Sequence, residues 1–187
     1  KKYEDILIKA NKTLNLVGNS TINDIWTRHF LDSAQVIDFI DENDKTLIDL
    51  GSGAGFPGVV LALLIKDRKK LLKIKLIEKS QKKVNFLKAL VKKLNLNVDV
   101  LHVDIMKDEN KLDDGVIIAR AFKPLNLILE LIHKKAGNFK KIFIFLGKTG
   151  KTQLLQASKS WDIKYKQRVS ITNDDSIVIE INEIKKK

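Results

Sequence analysis

The chain has no cysteine among its 187 residues. Disulfides, thiolate metal sites and thiol nucleophiles are excluded together. Its three histidines, His29, His102 and His133, stand far apart, so no local metal-ligand spacing appears and no metal is expected. No apolar run approaches the ~20 residues that a bilayer requires, so no membrane role is expected. The opening KKYEDILIKA alternates charged and apolar residues without a cleavage site, which is not the pattern of a signal peptide. The expected compartment is the cytoplasm. Arginine is also scarce: Arg28, Arg68, Arg120 and Arg168 are the whole complement.

Lysine is abundant instead, and the formal net charge is +12. Such a field attracts polyanions, and nucleic acid is the partner it suggests. A compositionally biased genome would also produce a lysine-rich chain. The clusters at 66–75, 79–83, 88–93 and 134–141 mostly read as solvated helix faces. Lys82, Lys83 and Lys148 are the better phosphate candidates, because they fall near the C-terminal ends of expected strands. With 44% hydrophobic residues, the length suits one compact domain, expected to act as a monomer.

Residues 1–45 read as a helical extension. Ile6, Leu7, Ala10, Leu14 and Val17 fall near a 3.6-residue period. Thr21 with Asp24 three residues later resembles a capping box, opening a helix through Ile25, Phe30, Ala34, Ile37 and Ile40. From residue 46 to 187 the texture changes to short β-rich runs alternating with amphipathic stretches. The runs are TLIDL (46–50), KIKLIE (73–78), NVDVL (97–101), GVIIA (115–119) and IFIFL (142–146). Helical patterns occupy 57–66, 80–94 and 124–135, so a parallel sheet covered on both faces is expected. A helix over 151–160 follows. Then IKYKQRV and SIVIEI, joined by SITNDD, predict an antiparallel hairpin at the sheet edge.

The stretch LIDLGSGAGFPGVVLALL (47–64) is the sharpest signal. It contains G-x-G-x-x-G at Gly53, Gly55 and Gly58, which suggests a dinucleotide. It also contains D-x-G-x-G-x-G at Asp49, Gly51, Gly53 and Gly55, which suggests S-adenosylmethionine (SAM). The dinucleotide spelling leaves Gly51 and Asp49 without a role. Pro57 also removes an N–H where phosphates would need one. SAM carries no phosphate, and its cationic sulfonium and amino-acid end favour a carboxylate, which Asp49 is expected to supply directly or through water. Glu78 ends the second strand, where an acidic residue accepts both ribose hydroxyls of either cofactor.

The order and spacing of RHFLDS (28–33), DLGSGAGFPG (49–58) and ARAF (119–122) resemble the RsmG (GidB) family. LNLVG (14–18) and KSQKKVNFLKAL (79–90) are similar to further stretches of that family, so the resemblance spans nearly the whole chain. These are bacterial SAM-dependent methyltransferases of a guanine N7 in small-subunit (16S) ribosomal RNA. The resemblance implies a class I methyltransferase fold, Rossmann-like, with seven mostly parallel strands, an antiparallel edge hairpin and an N-terminal helical extension. It implies SAM contacts from Gly51 and Phe56, from Ile105 and Met106 after the turn between strands three and four, and from Arg120. Asp104 stands where related enzymes bind the adenine amino group, and where this family commonly has a basic residue. The family often ends its fifth strand L-K-G; here FLGK (145–148) makes Lys148 the stand-in for the displaced lysine.

The residues suit that chemistry. Guanine N7 bears a lone pair and no proton, so transfer needs in-line positioning at about 3–3.5 Å and no general base. The absence of cysteine argues against pyrimidine C5 methylation. ARAFKP after the fourth strand, with no NPPY-like end, argues against exocyclic amines. Ribose 2′-O methylation with a lysine base stays open. Arg120, Arg28 and Lys148 are positioning candidates, since an arginine fork suits guanine O6 and N7. Arg28 and His29 are candidates for RNA contact, with Asp32 a helical partner for Arg28. Trp26 and Phe122 are candidates to stack on a base, although helix-core packing fits Trp26 better. Other readings are a methyltransferase of another RNA or a small molecule, a non-catalytic RNA-binding module of the same fold, and an NAD(P) oxidoreductase.

Overall fold

A computed structural model describes residues 1–66, 72–112 and 114–187. Arg68, and Lys69 and Lys70 of the 66–75 lysine cluster, fall outside the described residues.

The apolar runs become the strands of one seven-stranded sheet: β1 (Thr46–Leu50), β2 (Lys73–Glu78), β3 (Val98–His102), β4 (Val116–Arg120), β5 (Lys141–Leu146), β6 (Trp161–Ser170) and β7 (Asn173–Lys186). Their spatial order is β3-β2-β1-β4-β5-β7-β6. The first five are parallel; β7 pairs antiparallel with β5, and β6 with β7. The helices are α1 (Lys2–Leu14), a single α-turn α2 (Asp32–Ala34), α3 (Gly58–Ile65), α4 (Gln81–Leu94), α5 (Leu125–Lys135) and α6 (Gly150–Ala157).

Strand side chains alternate between faces, and that alternation divides the core. Leu47, Ile74, Leu76, Val116, Ile118 and Phe143 join the core under α1, α3 and α4. Ile48, Leu50, Ile77, Ile117, Ala119 and Ile144 join the core under α5 and α6. Both faces are therefore dry, which is why the parallel strands read as unbroken apolar runs. Tyr3, Leu7, Ile25, Phe30, Val36 and Ile40 bury in the same core as α3 and α4, so residues 1–45 pack directly on the sheet's helical cover.

The expected helix opening at Thr21 does not form. The chain instead makes a 3-10 helix (Asn19–Asp24), a π-helix (Trp26–Leu31), α2, and a 3-10 turn (Ile37–Phe39). The Thr21 hydroxyl donates to the Gly18 carbonyl at 2.7 Å and also meets His29 Nε2, so it caps nothing. The hairpin strands are longer than their apolar runs, and the turn shrinks to Ile171 and Thr172. Much of β6, the edge strand, is exposed, so apolar alternation could not mark its ends.

The sheet order reverses beside β1: β2 and β3 lie to one side, β4 and β5 to the other. Open α/β sheets bind ligands outside the carboxyl ends of the strands at such a switch point.

Candidate active site

At the carboxyl ends of β1, β2 and β4 the structure opens a cavity of about 530 Å3. That is within the usual range for a small-molecule site. Its floor is the loop after β1. The N–H groups of Gly51 and Ser52 both donate to the Ile77 carbonyl, at 2.9 and 3.1 Å. Gly53 N–H donates to Glu78 Oε2 at 3.0 Å, and Ser80 N–H to Glu78 Oε1 at 2.8 Å. One carboxylate thus ties the loop to the start of α4 while still facing the cavity. Each oxygen keeps acceptor capacity for a further donor such as a ribose hydroxyl.

Asp49 is placed elsewhere. Two residues beyond Leu47, it shares that residue's face of β1 and points beneath the start of α3. Its Oδ2 accepts the Gly58 N–H at 3.0 Å, and its Oδ1 has no partner. Burial raises its carboxyl to about 7, against the opposing effect of the Gly58 N–H. Asp49 does not line the cavity, and the expected direct contact with a ligand is not the geometry found. The same carboxylate explains Gly58: a Cβ there would sit 2.6 Å from Asp49 Oδ2 and 2.5 Å from Leu76 Cδ2. Gly55 also lies behind the cavity. At φ +101°, a Cβ on it would meet the Tyr3 hydroxyl at 2.6 Å.

Tyr3 is one of the residues that the sequence did not point to. Its hydroxyl donates to the Ala54 carbonyl at 2.7 Å, and its ring stacks on Phe56 with centroids 5.4 Å apart. The other face of the site comes from the π-helix. His29 stacks on Phe56 at 5.1 Å. Its Nδ1 lies 3.2 Å from both terminal nitrogens of Arg120. Arginine only donates, so Nδ1 accepts, and the ring's proton sits on Nε2, aimed at Thr21 Oγ1 at 2.8 Å. Burial, reinforced by the Arg120 charge, lowers the His29 pKa to about 4. The ring is therefore neutral at physiological pH.

Arg120 does not present a free fork. Its Nε donates to Asp32 Oδ2 at 2.8 Å and its Nη2 to the Arg28 carbonyl at 2.6 Å. With His29 engaged as well, one Nη1–H remains for an incoming group. Asp32 is correspondingly not the partner of the Arg28 side chain. Its Oδ1 accepts from Gln35 Nε2 at 2.8 Å and from the hydroxyls of Ser170 and Thr172, each at 3.0 Å. One carboxylate therefore joins the helical layer, the end of β4 and the tip of the β6–β7 hairpin. Ala121, next in the chain, has φ +50°, and this left-handed step turns the backbone at the cavity wall.

The remaining candidates divide. Gly51, Gly53, Phe56, Glu78, Asp104, Ile105, Met106, Arg120, His29 and Lys83 all line the cavity. Asp104 Oδ1 accepts the Met106 N–H at 3.3 Å. Lys82 and Lys148 are exposed outside it. Arg28 is exposed as well, and its carbonyl, not its guanidinium, serves the site. Trp26 is 50% exposed and stacks on Phe30, so it does not fill a helix core. Phe122 lines the cavity above Gly51. Lys79 and Lys123 also join the lining, although neither was among the candidates. Asn11 does not line the cavity, but its Oδ1 accepts the N–H groups of Leu16 and Val17, folding LNLVG onto it.

The residues fit SAM. Glu78 offers acceptors to a ribose diol, Ile105 and Met106 offer apolar surface to a purine, and Asp104 offers an acceptor to its amino group. The fold is that of SAM-dependent methyltransferases. An Aquifex aeolicus SAM-dependent methyltransferase superposes with a TM-score of 0.59 at 18% identity, covering 94% of this chain and 97% of that one. M. capricolum TrmK in complex with S-adenosyl-homocysteine gives 0.54 at 21% identity, covering 80% and 66%. Among sequences, the Ribosomal RNA small subunit methyltransferase G of Pelagibacter ubique is 40% identical over 99% of this chain and 87% of its own length. The protein of the same name from Rickettsia felis is 34% identical over 98% and 92%. The model of the family described as rRNA small subunit methyltransferase G matches residues 1–177. With the glycine floor, the Glu78 carboxylate and the switch-point cavity in place, this chain belongs to the GidB family of SAM-dependent methyltransferases.

Proposed function

We propose that this chain transfers the methyl group of SAM to N7 of a guanine in small-subunit ribosomal RNA. Membership of the GidB family over residues 1–177 is the observation that carries the reading. The cavity agrees with its chemistry. The N7 lone pair attacks the methyl carbon in line, the carbon–sulfur bond breaks, and its electron pair stays on sulfur. Positive charge passes from sulfonium to purine and no proton moves, so no base is required. The side chain best placed to be mistaken for a base, His29, is already spent on Arg120 and Thr21.

SAM supplies the reactive methyl; the chain binds, orients and shields. In this reading Gly51, Gly53 and Phe56 floor the cofactor, Glu78 accepts its ribose hydroxyls, and Asp104, Ile105 and Met106 hold its adenine. Asp49 acts through the loop, by holding the start of α3. Arg120 orients the reacting pair with its one spare N–H. Lys83 faces RNA phosphate at the cavity, and Arg28, Lys82 and Lys148 do so outside it. In this reading the chain acts as a monomer, and a ribosomal substrate agrees with work in the cytoplasm.

The test incubates the protein with radiolabelled SAM and unmodified small subunits or their naked RNA, then maps the label. Label on a guanine N7 is the expected result. Label on another atom would overturn the N7 assignment, and no label with either RNA would overturn the substrate.

A further inference from the structure

Helix α4, QKKVNFLKALVKKL, carries five lysines and no acid. Its buried side, Val84, Leu87, Leu90 and Val91, packs into the core. At 100° per residue, Lys82, Lys88, Lys92 and Lys93 fall within an arc of about 140° on the opposite side. All four are exposed. They span eleven residue steps, about 16 Å of helix axis.

Some lysines elsewhere meet acids, as Lys73 does Asp99, Lys140 Asp44, Lys141 Asp41, and Lys164 and Lys185 Glu183. Among the described residues, the side chain of none of the four on α4 has a hydrogen-bond or ion-pair partner.

Helix stability does not explain this arrangement. Lys92 and Lys93 suit the negative end of the helix dipole, but Lys82 and Lys83 sit at the positive end, where cations are disfavoured. Lys88 and Lys92 are a like-charged i,i+4 pair, which costs a few tenths of a kcal/mol. A surface that opposes its own helix in this way points to an external anion. The helix also begins at the cavity, where Glu78, Lys79 and Lys83 form part of the wall.

We propose that the outer face of α4 is an electrostatic track for the ribosomal RNA strand that flanks the target nucleotide. It would hold the strand as it leaves the cavity and runs along the helix. The proposal rests on small-subunit RNA being the substrate, and it adds where on the enzyme that RNA lies.

The experiment compares two full-length variants of equal charge loss. One carries Lys82→Gln, Lys88→Gln, Lys92→Gln and Lys93→Gln. The other carries Lys159→Gln, Lys164→Gln, Lys185→Gln and Lys187→Gln, in the α6–β6 turn and at the foot of the hairpin, away from the cavity. Methyl transfer to naked small-subunit RNA is followed against salt, and SAM affinity is measured by calorimetry. Each phosphate contact contributes roughly 0.7 to the log–log salt slope for a single strand. The α4 variant should bind SAM as the parent does, raise KM for RNA at least tenfold with kcat within about twofold, and flatten the slope by about 3. The control should leave the slope within about 0.5 of the parent. An unchanged slope in the α4 variant, or equal losses in both variants, would overturn the track. Should the quadruple change unfold the protein, Lys88→Gln and Lys92→Gln singly should each lower the slope by roughly 0.7, and no change would overturn it equally. A parent protein that labels no ribosomal RNA would sink the functional reading and the track with it.

Discussion

The hydroxyl of Tyr3, in the first turn of α1, donates to the carbonyl of Ala54 in the cofactor loop at 2.7 Å, across 51 residues of sequence. The same ring stacks on Phe56, so the N-terminal helix props the loop by both a hydrogen bond and an aromatic face. Tyr3→Phe keeps the ring and deletes the bond. It should cost about 1 kcal/mol of stability and weaken SAM binding several-fold. Tyr3→Ala, which empties a fully buried site, should cost roughly 3–5 kcal/mol. Chemical denaturation and calorimetry on the two variants separate these effects; a Tyr3→Phe protein with unaltered SAM affinity would show that the loop holds itself.

Asp32 gathers Arg120, Gln35, Ser170 and Thr172 on one carboxylate. It acts through those groups and is a positioning residue. Asp32→Asn keeps the shape but replaces one acceptor oxygen with a donor nitrogen opposite Arg120 or the hydroxyls. Removing such a charge-assisted contact is worth about 1.5–3 kcal/mol. The expected outcome is a fall in kcat of more than about tenfold, with SAM affinity much less affected. Ser170→Ala, which releases the hairpin tip alone, should do less. Steady-state kinetics with RNA decide the matter, and a loss confined to thermal stability would reduce Asp32 to a fold-holding role.

Gly53 donates its N–H to Glu78 and lines the cavity. At φ +58° an aspartate is tolerated better than most residues, yet its carboxylate would stand beside that of Glu78 in the cavity. Gly53→Asp should therefore abolish SAM binding while the circular dichroism spectrum stays that of the parent. A folded variant that still binds SAM would remove the loop from the cofactor site.

The Asp49 carboxyl, raised to about 7 by burial, gives a pH prediction of definite sign. An unfolded aspartate releases its proton near pH 4, whereas the folded one holds it to about 7. Between those values the folded state binds the extra proton, so stability from this group falls as pH rises. Asp49→Asn has no proton to lose. The stability of the parent relative to this variant should decline from pH 4 to about 7 and then level. Urea unfolding at intervals of pH would show it, and a constant difference would mean that Asp49 is charged throughout.

The parallel strands and the glycine loop were legible because buried strands read as apolar runs and because glycines mark a close approach, as at Gly58. Asp49 was misplaced even so. Side-chain alternation from Leu47 already put it on the α3 side of the sheet, and the motif spelling hid that. Residues 19–40 were misread for a different reason: the Thr21 hydroxyl looks like a helix cap, but its partners are the Gly18 carbonyl and a histidine eight residues on. The Arg120–Asp32 pair spans 88 residues, and the Asp32–Ser170 bond spans 138. No local pattern encodes contacts of that length; RHFLDS and ARAF marked the two ends of the first without linking them.

The sheet order has a consequence for synthesis. Strand β6 is translated before β7, yet β7 is the strand that bridges it to β5. Until β7 emerges from the ribosome, β6 has no sheet to join, and the wall of the cavity formed by Ser170, Ser176 and Ile177 is absent. A nascent chain folds from its N-terminus as it emerges, so the cofactor loop and α4 take shape early and the last wall arrives late. A growing chain thus completes the walls of its site only once this hairpin has been made.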